Sequence, residues 1–187
     1  MKLPLPIYES VKIKDDGEFS IFIGLDKKLV EQLKKYSADE SDTELQKNTG
    51  DRKRFGEGAY EDWYAKDRTP FALIHNPTGS MAGLAWFGPK PLGKKSMKFE
   101  GTEEIRIESN WHAIAFRSYA PFRGRGLMKN FAKFVINFYL KEFPNVILWA
   151  GLNDKNTAVF KLNTELGFIV DRDSSDLSSN WLVMVKK

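Results

Sequence analysis

The sequence predicts a single mixed α/β domain that spans all 187 residues. Strand-like alternation and helix-like periodicity follow one another along the chain, in the order hairpin, one or two helices, three-strand meander, helix, strand, helix and two strands. Hydrophobic residues make up 42% of the chain and aromatic residues 13%, which is enough to bury a sizeable core at this length. These observations favour one folded domain over a disordered or repetitive protein.

The first elements are a predicted hairpin and a predicted helix. Strand-like residues 11–14 and 18–23 flank Asp15-Asp16-Gly17, and an Asp-Gly turn between two such runs is a strong hairpin signal. Residues 25–36 carry apolar side chains at helical intervals. Asp26 suits the start of that helix, because a negative charge is favourable at the positive end of the helix dipole.

The next stretch is less regular. Residues 37–58 are mostly polar and charged, which predicts either a mobile loop or a weak helix. Tyr60, Trp63 and Tyr64 follow at helical spacing. An aromatic cluster of this kind indicates a core-facing helix more often than a wall of a substrate pocket.

The middle of the chain predicts a meander. Three strand-like runs follow one another: residues 69–74, 81–87 and 111–119. A five-residue turn at 76–80 separates the first two, and residues 88–98 form a loop rich in proline, glycine and lysine. The alternating run 103–108 either extends the third strand or forms a short strand of its own.

The C-terminal part alternates helices with strands. The clearest helix begins at Gly126, has one apolar and one polar face, and is stopped by Pro144. A second helix over 156–166 ends at Gly167. Strands are predicted at residues 146–152, 168–170 and 181–185.

Composition excludes several classes of function. The chain has 29 lysines and arginines against 25 acidic residues, and a net charge of +4 is too mild for a dedicated nucleic-acid binder. It has no cysteine, and its two histidines are far apart, so we expect no disulfide, no cysteine nucleophile and no metal. Because the N-terminus is unlike a signal peptide and no run reaches the roughly 20 apolar residues of a membrane span, we expect a cytoplasmic protein without membrane contact.

The turn before the clearest helix is the candidate binding site. A strand there runs through Arg123-Gly124-Arg125-Gly126 directly into a helix, whose first N–H groups have no partner within the helix. The glycines allow a ligand to approach the main chain, and the arginines add positive charge. The turn therefore suits a phosphate or pyrophosphate, although a plain strand-to-helix turn remains an alternative. Leu127 and Met128 exclude a P-loop, and Lys129 excludes a dinucleotide fingerprint.

Two sequence blocks resemble one known family. The turn, Arg123-Gly124-Arg125-Gly126-Leu127-Met128, resembles the acetyl-coenzyme A motif of the GNAT superfamily of N-acetyltransferases, which reads Arg/Gln-x-x-Gly-x-Gly/Ala. Residues 156–168 (NTAVFKLNTELGF) are similar to the family segment that starts with an asparagine and ends in Leu-Gly-Phe. The resemblance covers roughly residues 111–170. It implies a mostly antiparallel mixed sheet flanked by helices, with two central strands that splay apart.

The resemblance also implies an activity. A primary amine would attack acetyl-CoA directly, without an acyl-enzyme, which agrees with the absence of cysteine. The pantetheine arm would pair with the main chain near Phe116 and Ser118. The pyrophosphate would lie on the amides of residues 124–129, and Asn156 would complete the cofactor set.

Three positions depart from the family pattern. Met128 replaces a small residue, and its side chain would crowd the phosphates unless it turns toward the core. Asn163 occupies the position of a tyrosine that serves many members as general acid for the thiolate; water or Tyr119 would then supply the proton. His112 stands where histone-acetyltransferase-like members carry a glutamate base, and a histidine can take a proton near neutral pH.

The identity of the base stays open at this point. A histidine in a strand, satisfied by a neighbour, explains His112 at least as well as catalysis. Glu108 and Glu104 are competing bases that would act through an ordered water. The role of residues 37–68, where the family usually shapes its acceptor groove, is also open.

Three classes of function fit these observations. An acetyl-CoA-dependent N-acetyltransferase acting on an amine of a small molecule, peptide or protein is the first. A coenzyme-A-binding or regulatory module that has lost catalysis is the second, and an RNA- or ribosome-associated protein that uses Arg123 and Arg125 is the third. A homodimer is kept open as the assembly.

Overall fold

Alternating apolar and polar side chains form the predicted sheet. A computed structural model describes residues 1–93 and 110–186 of the chain. Its strands are β1 (Val11–Asp15), β2 (Phe19–Ile23), β3 (Thr69–His75), β4 (Ser80–Pro89), β5 (Trp111–Ser118), β6 (Ile147–Asn153), β7 (Ile169–Val170) and β8 (Trp181–Lys186). These strands are ordered β1-β2-β3-β4-β5-β6-β8-β7. The hairpin, the meander and the closing strands predicted from the sequence are confirmed.

The helices begin and end close to the predicted signals. They are α1 (Lys27–Ala38), α2 (Thr43–Asn48), a π-helical turn (Arg52–Gly56), α3 (Tyr60–Tyr64), α4 (Leu127–Glu142), α5 (Thr157–Glu165) and a 3-10 turn (Leu177–Ser179). The Asp26 carboxylate caps α1 by accepting from the Leu29 N–H at 2.9 Å. Gly167, at φ +84°, follows the end of α5, as expected for a glycine beyond a helix C-terminus. In the described ranges, no helix combines the length and apolar character that crossing a membrane requires.

The sheet is mixed, with antiparallel pairs predominating. β1 pairs with β2 and β2 with β3 in antiparallel fashion, and β8 does the same with β6 and β7. The parallel ladder of β5 and β6 joins Trp111–Ala113 to Ile147–Trp149, and among the described residues it ends there. β6 nevertheless stays paired with β8 as far as Asn153. A mixed sheet flanked by helices is confirmed, and the short ladder agrees with the expectation of splayed strands.

Two compact units make up the described chain. The N-terminal unit comprises Met1–Trp86 and Phe116–Phe131, and the C-terminal unit comprises Phe87–Ala115 and the chain from Ala132 onward. Strands β4 and β5 therefore contribute residues to both units. The single domain expected from the sequence stays a prediction.

Each unit has its own apolar core. In the N-terminal unit the Trp63 ring packs edge-on against Phe55 and Trp86, with ring centroids 5.0 and 5.7 Å away. The prediction that the aromatic residues after position 58 face a core is thus confirmed. In the C-terminal unit Trp149 packs with Val183 and Val185, all of them buried.

The polar stretch 37–58 contains α2 and the π-helical turn, in agreement with the helical alternative. Asp42 caps α2 by accepting from the Leu45 N–H at 3.0 Å. Leu45 and Phe55 are almost fully buried, which anchors both short helical segments to the unit. The predicted run 103–108 and the end of the loop 88–98 lie outside the described residues.

Candidate active site

The candidate site is built around the turn between β5 and α4. The Tyr119 N–H donates to the Ala82 carbonyl at 3.1 Å, which keeps the end of β5 on β4. Two residues in the turn, Gly124 and Gly126, adopt φ values of +74° and +73°. L-residues rarely adopt this conformation, so glycine is favoured at both positions.

Open space lies beside both glycines. Apart from its own chain neighbours, a Cβ built on Gly124 or on Gly126 would meet no heavy atom of residues 1–93 and 110–186 within 4 Å. The turn leads directly into the 16-residue helix α4, whose N-terminus carries partial positive charge and N–H groups without an intrahelical partner. Main-chain geometry here thus fits a phosphate group, because the ligand can approach the backbone without displacing a side chain.

The guanidinium groups of the two arginines in the turn form ion pairs with carboxylates of the chain. Arg123 binds the Asp42 carboxylate with both terminal nitrogens at 2.6 Å, and its Nε donates to the Ser118 carbonyl at 2.9 Å. Arg125 binds Glu18 at 2.9 Å. The charges of both arginines are therefore partly neutralised by acids of the chain.

Arginine side chains also bind the carbonyls of Phe116 and Ser118, the residues near which the family resemblance implies that the pantetheine arm pairs. Arg117 Nη1 donates to the Phe116 carbonyl at 2.7 Å, and Arg123 takes the Ser118 carbonyl. A carbonyl oxygen has two lone pairs, so each retains one for a further donor.

Arg117 belongs to a buried charge cluster that the sequence reasoning missed. Its Nε and Nη2 bind the fully buried Asp51 at 2.5 and 2.9 Å, and Arg54 binds the same carboxylate at 2.7 Å. The Arg117 guanidinium also lies 4.5 Å from the centre of the Trp86 ring. Burial alone would raise the pKa of Asp51, but the two arginines outweigh burial and lower that pKa below its usual range.

Met128 does not crowd the turn. Its Sδ lies 2.9 Å from the place where a Cβ on Gly83 would be. The thioether therefore occupies space over β4 that the absent side chain of Gly83 leaves open. The large residue in the motif is thus matched by a small one in the neighbouring strand.

The C-terminal unit holds the second sequence block. Asn156 caps α5, where its Oδ1 accepts from the Val159 N–H at 3.2 Å. Asn163 lies on the same helix and is 0% exposed. Neither its Oδ1 nor its Nδ2 has a hydrogen-bond partner in the described part of the chain. Burying an amide without a hydrogen-bond partner costs free energy. Asn163 is therefore a candidate for a hydrogen bond to a ligand.

His112, the candidate base, has a hydrogen-bond partner in the C-terminal unit. Its Nδ1 lies 2.6 Å from the hydroxyl of Tyr139 on α4. Tyr139 is buried and stacks on Phe87 with ring centroids 4.2 Å apart. The hydrogen bond to Tyr139 can therefore explain the presence of His112 on structural grounds, and its role as a base stays a prediction. Glu108 and Glu104 lie outside the described residues.

The structure thus groups the predicted site residues in two sets. The N-terminal unit contains Phe116, Ser118, the turn and the first residues of α4 as far as Lys129; the C-terminal unit contains His112, Asn156 and Asn163. Sequence reasoning missed Asp42, Asp51, Gly83 and Arg117. Arg117 follows the apolar run 113–116 within strand β5, and a charged residue at that place was the available signal for a buried acidic partner. No group of three metal-ligating side chains occurs among residues 1–93 and 110–186.

Comparison with known proteins agrees with this geometry. An acetyltransferase from Agrobacterium tumefaciens superposes with a TM-score of 0.64 at 12% identity, over 97% of each chain. The GNAT domain of S. lividans PAT gives a TM-score of 0.60 at 14% identity, over 95% of each chain. The chain has the GNAT fold. A third match is a structure of RimL in complex with coenzyme A; RimL is a ribosomal L7/L12 alpha-N-protein acetyltransferase. It superposes with a TM-score of 0.64 at 12% identity, over 94% of this chain and 97% of RimL.

Comparison of sequences alone does not identify the GNAT fold of this chain. No protein-family model matches the chain, and the comparison with curated proteins finds no match. The GNAT fold is therefore supported by structure and by the two short sequence blocks.

Proposed function

We propose that the protein is an acetyl-CoA-dependent N-acetyltransferase that moves an acetyl group directly to a primary amine. The observation that carries the proposal is the turn at Gly124 and Gly126, with positive φ at both glycines, open space beside them and a long helix behind them. This arrangement is suited to the pyrophosphate of a coenzyme. The GNAT fold of the chain supports the same assignment.

In this reaction the protein positions the coenzyme and the amine, and it need not form a covalent bond with the acetyl group. Bound acetyl-CoA supplies an activated thioester; the amine nitrogen forms the new C–N bond, the C–S bond breaks, and the thiolate takes up a proton. We propose that the main chain of β5 from Ile114 onward, which the described ladder with β6 does not include, aligns the pantetheine arm. The amides of residues 124–129 hold the phosphates.

His112 is proposed as the group that takes the proton from the amine. A histidine acts as a base only in its neutral form, so activity should fall as the pH is lowered. We expect His112→Gln to lower kcat and to flatten that acidic limb of the pH–rate profile. Tyr139→Phe, which removes the hydrogen-bond partner but keeps the ring, is the companion variant. If His112→Gln lowers only the melting temperature and leaves the profile unchanged, the histidine is structural.

Asn163 is proposed to hydrogen-bond the coenzyme, because its buried amide otherwise has no partner in the described chain. Replacement by leucine removes a desolvation penalty of about 1–3 kcal/mol. We expect Asn163→Leu to raise the melting temperature of the ligand-free protein by a few degrees while lowering turnover. Asn137→Leu, at an exposed position of α4, is the control and should change neither the melting temperature nor the turnover. A lower melting temperature for Asn163→Leu would show that the amide already has a partner.

Asn163 also favours a second candidate function. An amide can donate a hydrogen bond to a thiolate but cannot supply a proton, so a coenzyme-A-binding module without catalysis is the alternative. The RNA-associated alternative is not proposed, because Arg123 and Arg125 both bind acids of the chain.

Titration calorimetry with acetyl-CoA, followed by a thiol-release assay over a panel of amines, tests these proposals. Binding with thiol release that depends on an amine supports the acetyltransferase. Binding without turnover on any amine, peptide or protein N-terminus supports the binding module. If acetyl-CoA does not bind, both proposals are wrong.

A further inference from the structure

Two carbonyls near the end of β5, those of Phe116 and Ser118, point away from β4. The Tyr119 N–H donates to the Ala82 carbonyl of β4, and successive residues of a strand direct their main-chain N–H and C=O groups to alternate edges. The described ladder between β5 and β6 ends at Ala113, before these two carbonyls. They therefore belong to the edge of β5 along which the pantetheine arm is proposed to lie.

Arg123 connects one of these carbonyls to helix α2. Its Nε donates to the Ser118 carbonyl at 2.9 Å, and its Nη1 and Nη2 donate to the two oxygens of Asp42, both at 2.6 Å. Asp42 is also the N-cap of α2, where its Oδ1 accepts from the Leu45 N–H at 3.0 Å. Paired bonds to one carboxylate fix the orientation of a guanidinium. The orientation of the Ser118 carbonyl is therefore linked to the position of α2.

The other carbonyl of this edge is held in the same way. Arg117 Nη1 donates to the Phe116 carbonyl at 2.7 Å, while its Nε and Nη2 bind the Asp51 carboxylate. Asp51 comes from the same polar stretch 37–58 as Asp42. Two acids of one stretch thus act through two arginines on carbonyls of one strand edge. This repetition favours a role at the edge over two unrelated ion pairs.

We propose that Asp42 is a positioning residue for the coenzyme: it holds Arg123, and Arg123 holds the edge of β5 that aligns the pantetheine arm. This proposal rests on the acetyltransferase function proposed above. Arg123 then acts on the main chain of β5 and not on a phosphate, which is the role that its place in the motif indicates. The hydrogen bonds from Arg123 lower the pKa of Asp42 against the opposing effect of partial burial, so the pair is charged at neutral pH.

The variant Asp42→Asn distinguishes these two roles of Arg123. If Arg123 binds phosphate, this variant removes a nearby negative charge and releases the guanidinium, so acetyl-CoA should be used at least as well as by the wild-type protein. If Arg123 positions β5, the same variant loosens the hold on the Ser118 carbonyl, and acetyl-CoA is used less well. Asparagine caps helices about as well as aspartate does, so α2 should keep its N-cap.

The test compares acetyl-CoA with S-acetylpantetheine, which has the same thioester and pantetheine arm but no phosphate. Both are assayed by thiol release with the amine of the panel that reacts fastest. We expect Asp42→Asn to lower kcat/KM about threefold and Arg123→Lys about tenfold, equally for both thioesters, because a displaced strand edge misaligns the arm that they share. Arg52→Lys is the matched control, since Arg52 binds Glu40 and Glu57 in the same polar stretch, and it should change neither value.

Three results would overturn the proposal. A loss confined to acetyl-CoA in Arg123→Lys would show that Arg123 contacts phosphate. Unchanged or improved use of acetyl-CoA by Asp42→Asn, even with a lower melting temperature, would make the contact a structural one only. A wild-type protein that uses acetyl-CoA but not S-acetylpantetheine would show that the phosphates, and not the edge of β5, hold the coenzyme. Failure to bind acetyl-CoA would instead overturn the proposed function, so the two failures are distinguishable.

Discussion

Replacing Gly126 with glutamate is expected to weaken acetyl-CoA binding by at least about a hundredfold. The carboxylate would enter the open space that faces the turn and meet the phosphates there. Two like charges about 4 Å apart repel by roughly 4 kcal/mol near a protein surface, and each 1.4 kcal/mol changes affinity tenfold. Titration calorimetry with acetyl-CoA measures the effect directly.

Two control variants separate charge from strain. Gly126→Gln has the same bulk and the same unfavourable φ, so it should lose less affinity than Gly126→Glu and should melt at a similar temperature. Gly17→Glu places the same side chain at φ +90° in the β1–β2 turn and should bind acetyl-CoA as the wild-type protein does. Wild-type affinity in Gly126→Glu would mean that the phosphates bind elsewhere.

Local sequence signals predicted most of the fold. Asp-Gly between strand-like runs, Asp26 before α1 and Gly167 after α5 act on the backbone within a few residues, so each could be interpreted without knowledge of the tertiary structure. The glycines of the turn belong to the same class, because their positive φ is a local requirement. The backbone conformation of the turn was therefore predictable, and phosphate binding by the turn stays a proposal.

Contacts between distant parts of the sequence were not predictable in the same way. The interaction of Arg123 with Asp42 joins residues 81 positions apart, and that of Arg117 with Asp51 joins residues 66 apart. The sequence predicted two arginines, Arg123 and Arg125, suited to phosphate and a polar stretch suited to a loop or a weak helix. The structure shows that this stretch supplies the acids Asp51 and Asp42, which bind Arg117 and Arg123.

The second large effect is expected at Asp51. Asp51→Asn would leave Arg117 and Arg54 beside an amide that cannot neutralise them, and removing one partner of a buried ion pair costs about 3–5 kcal/mol. For a chain of this size the melting temperature should fall by roughly 10 °C. Glu57→Gln breaks the exposed pair with Arg52 in the same segment and should change stability by less than about 1 kcal/mol.

The pH dependence of this effect identifies its cause. The folded-state pKa of Asp51 lies below its ordinary value of 3.8, so its contribution to stability is fully present above that value and is lost as the pH falls through the folded pKa. Protonated aspartate then resembles asparagine. Urea unfolding should show a wide gap between wild type and Asp51→Asn at pH 7 and a narrower gap well below pH 3.8. A gap of constant width would mean that packing, not charge, makes Asp51 important, and the link between the polar stretch and β5 would then not depend on ionisation.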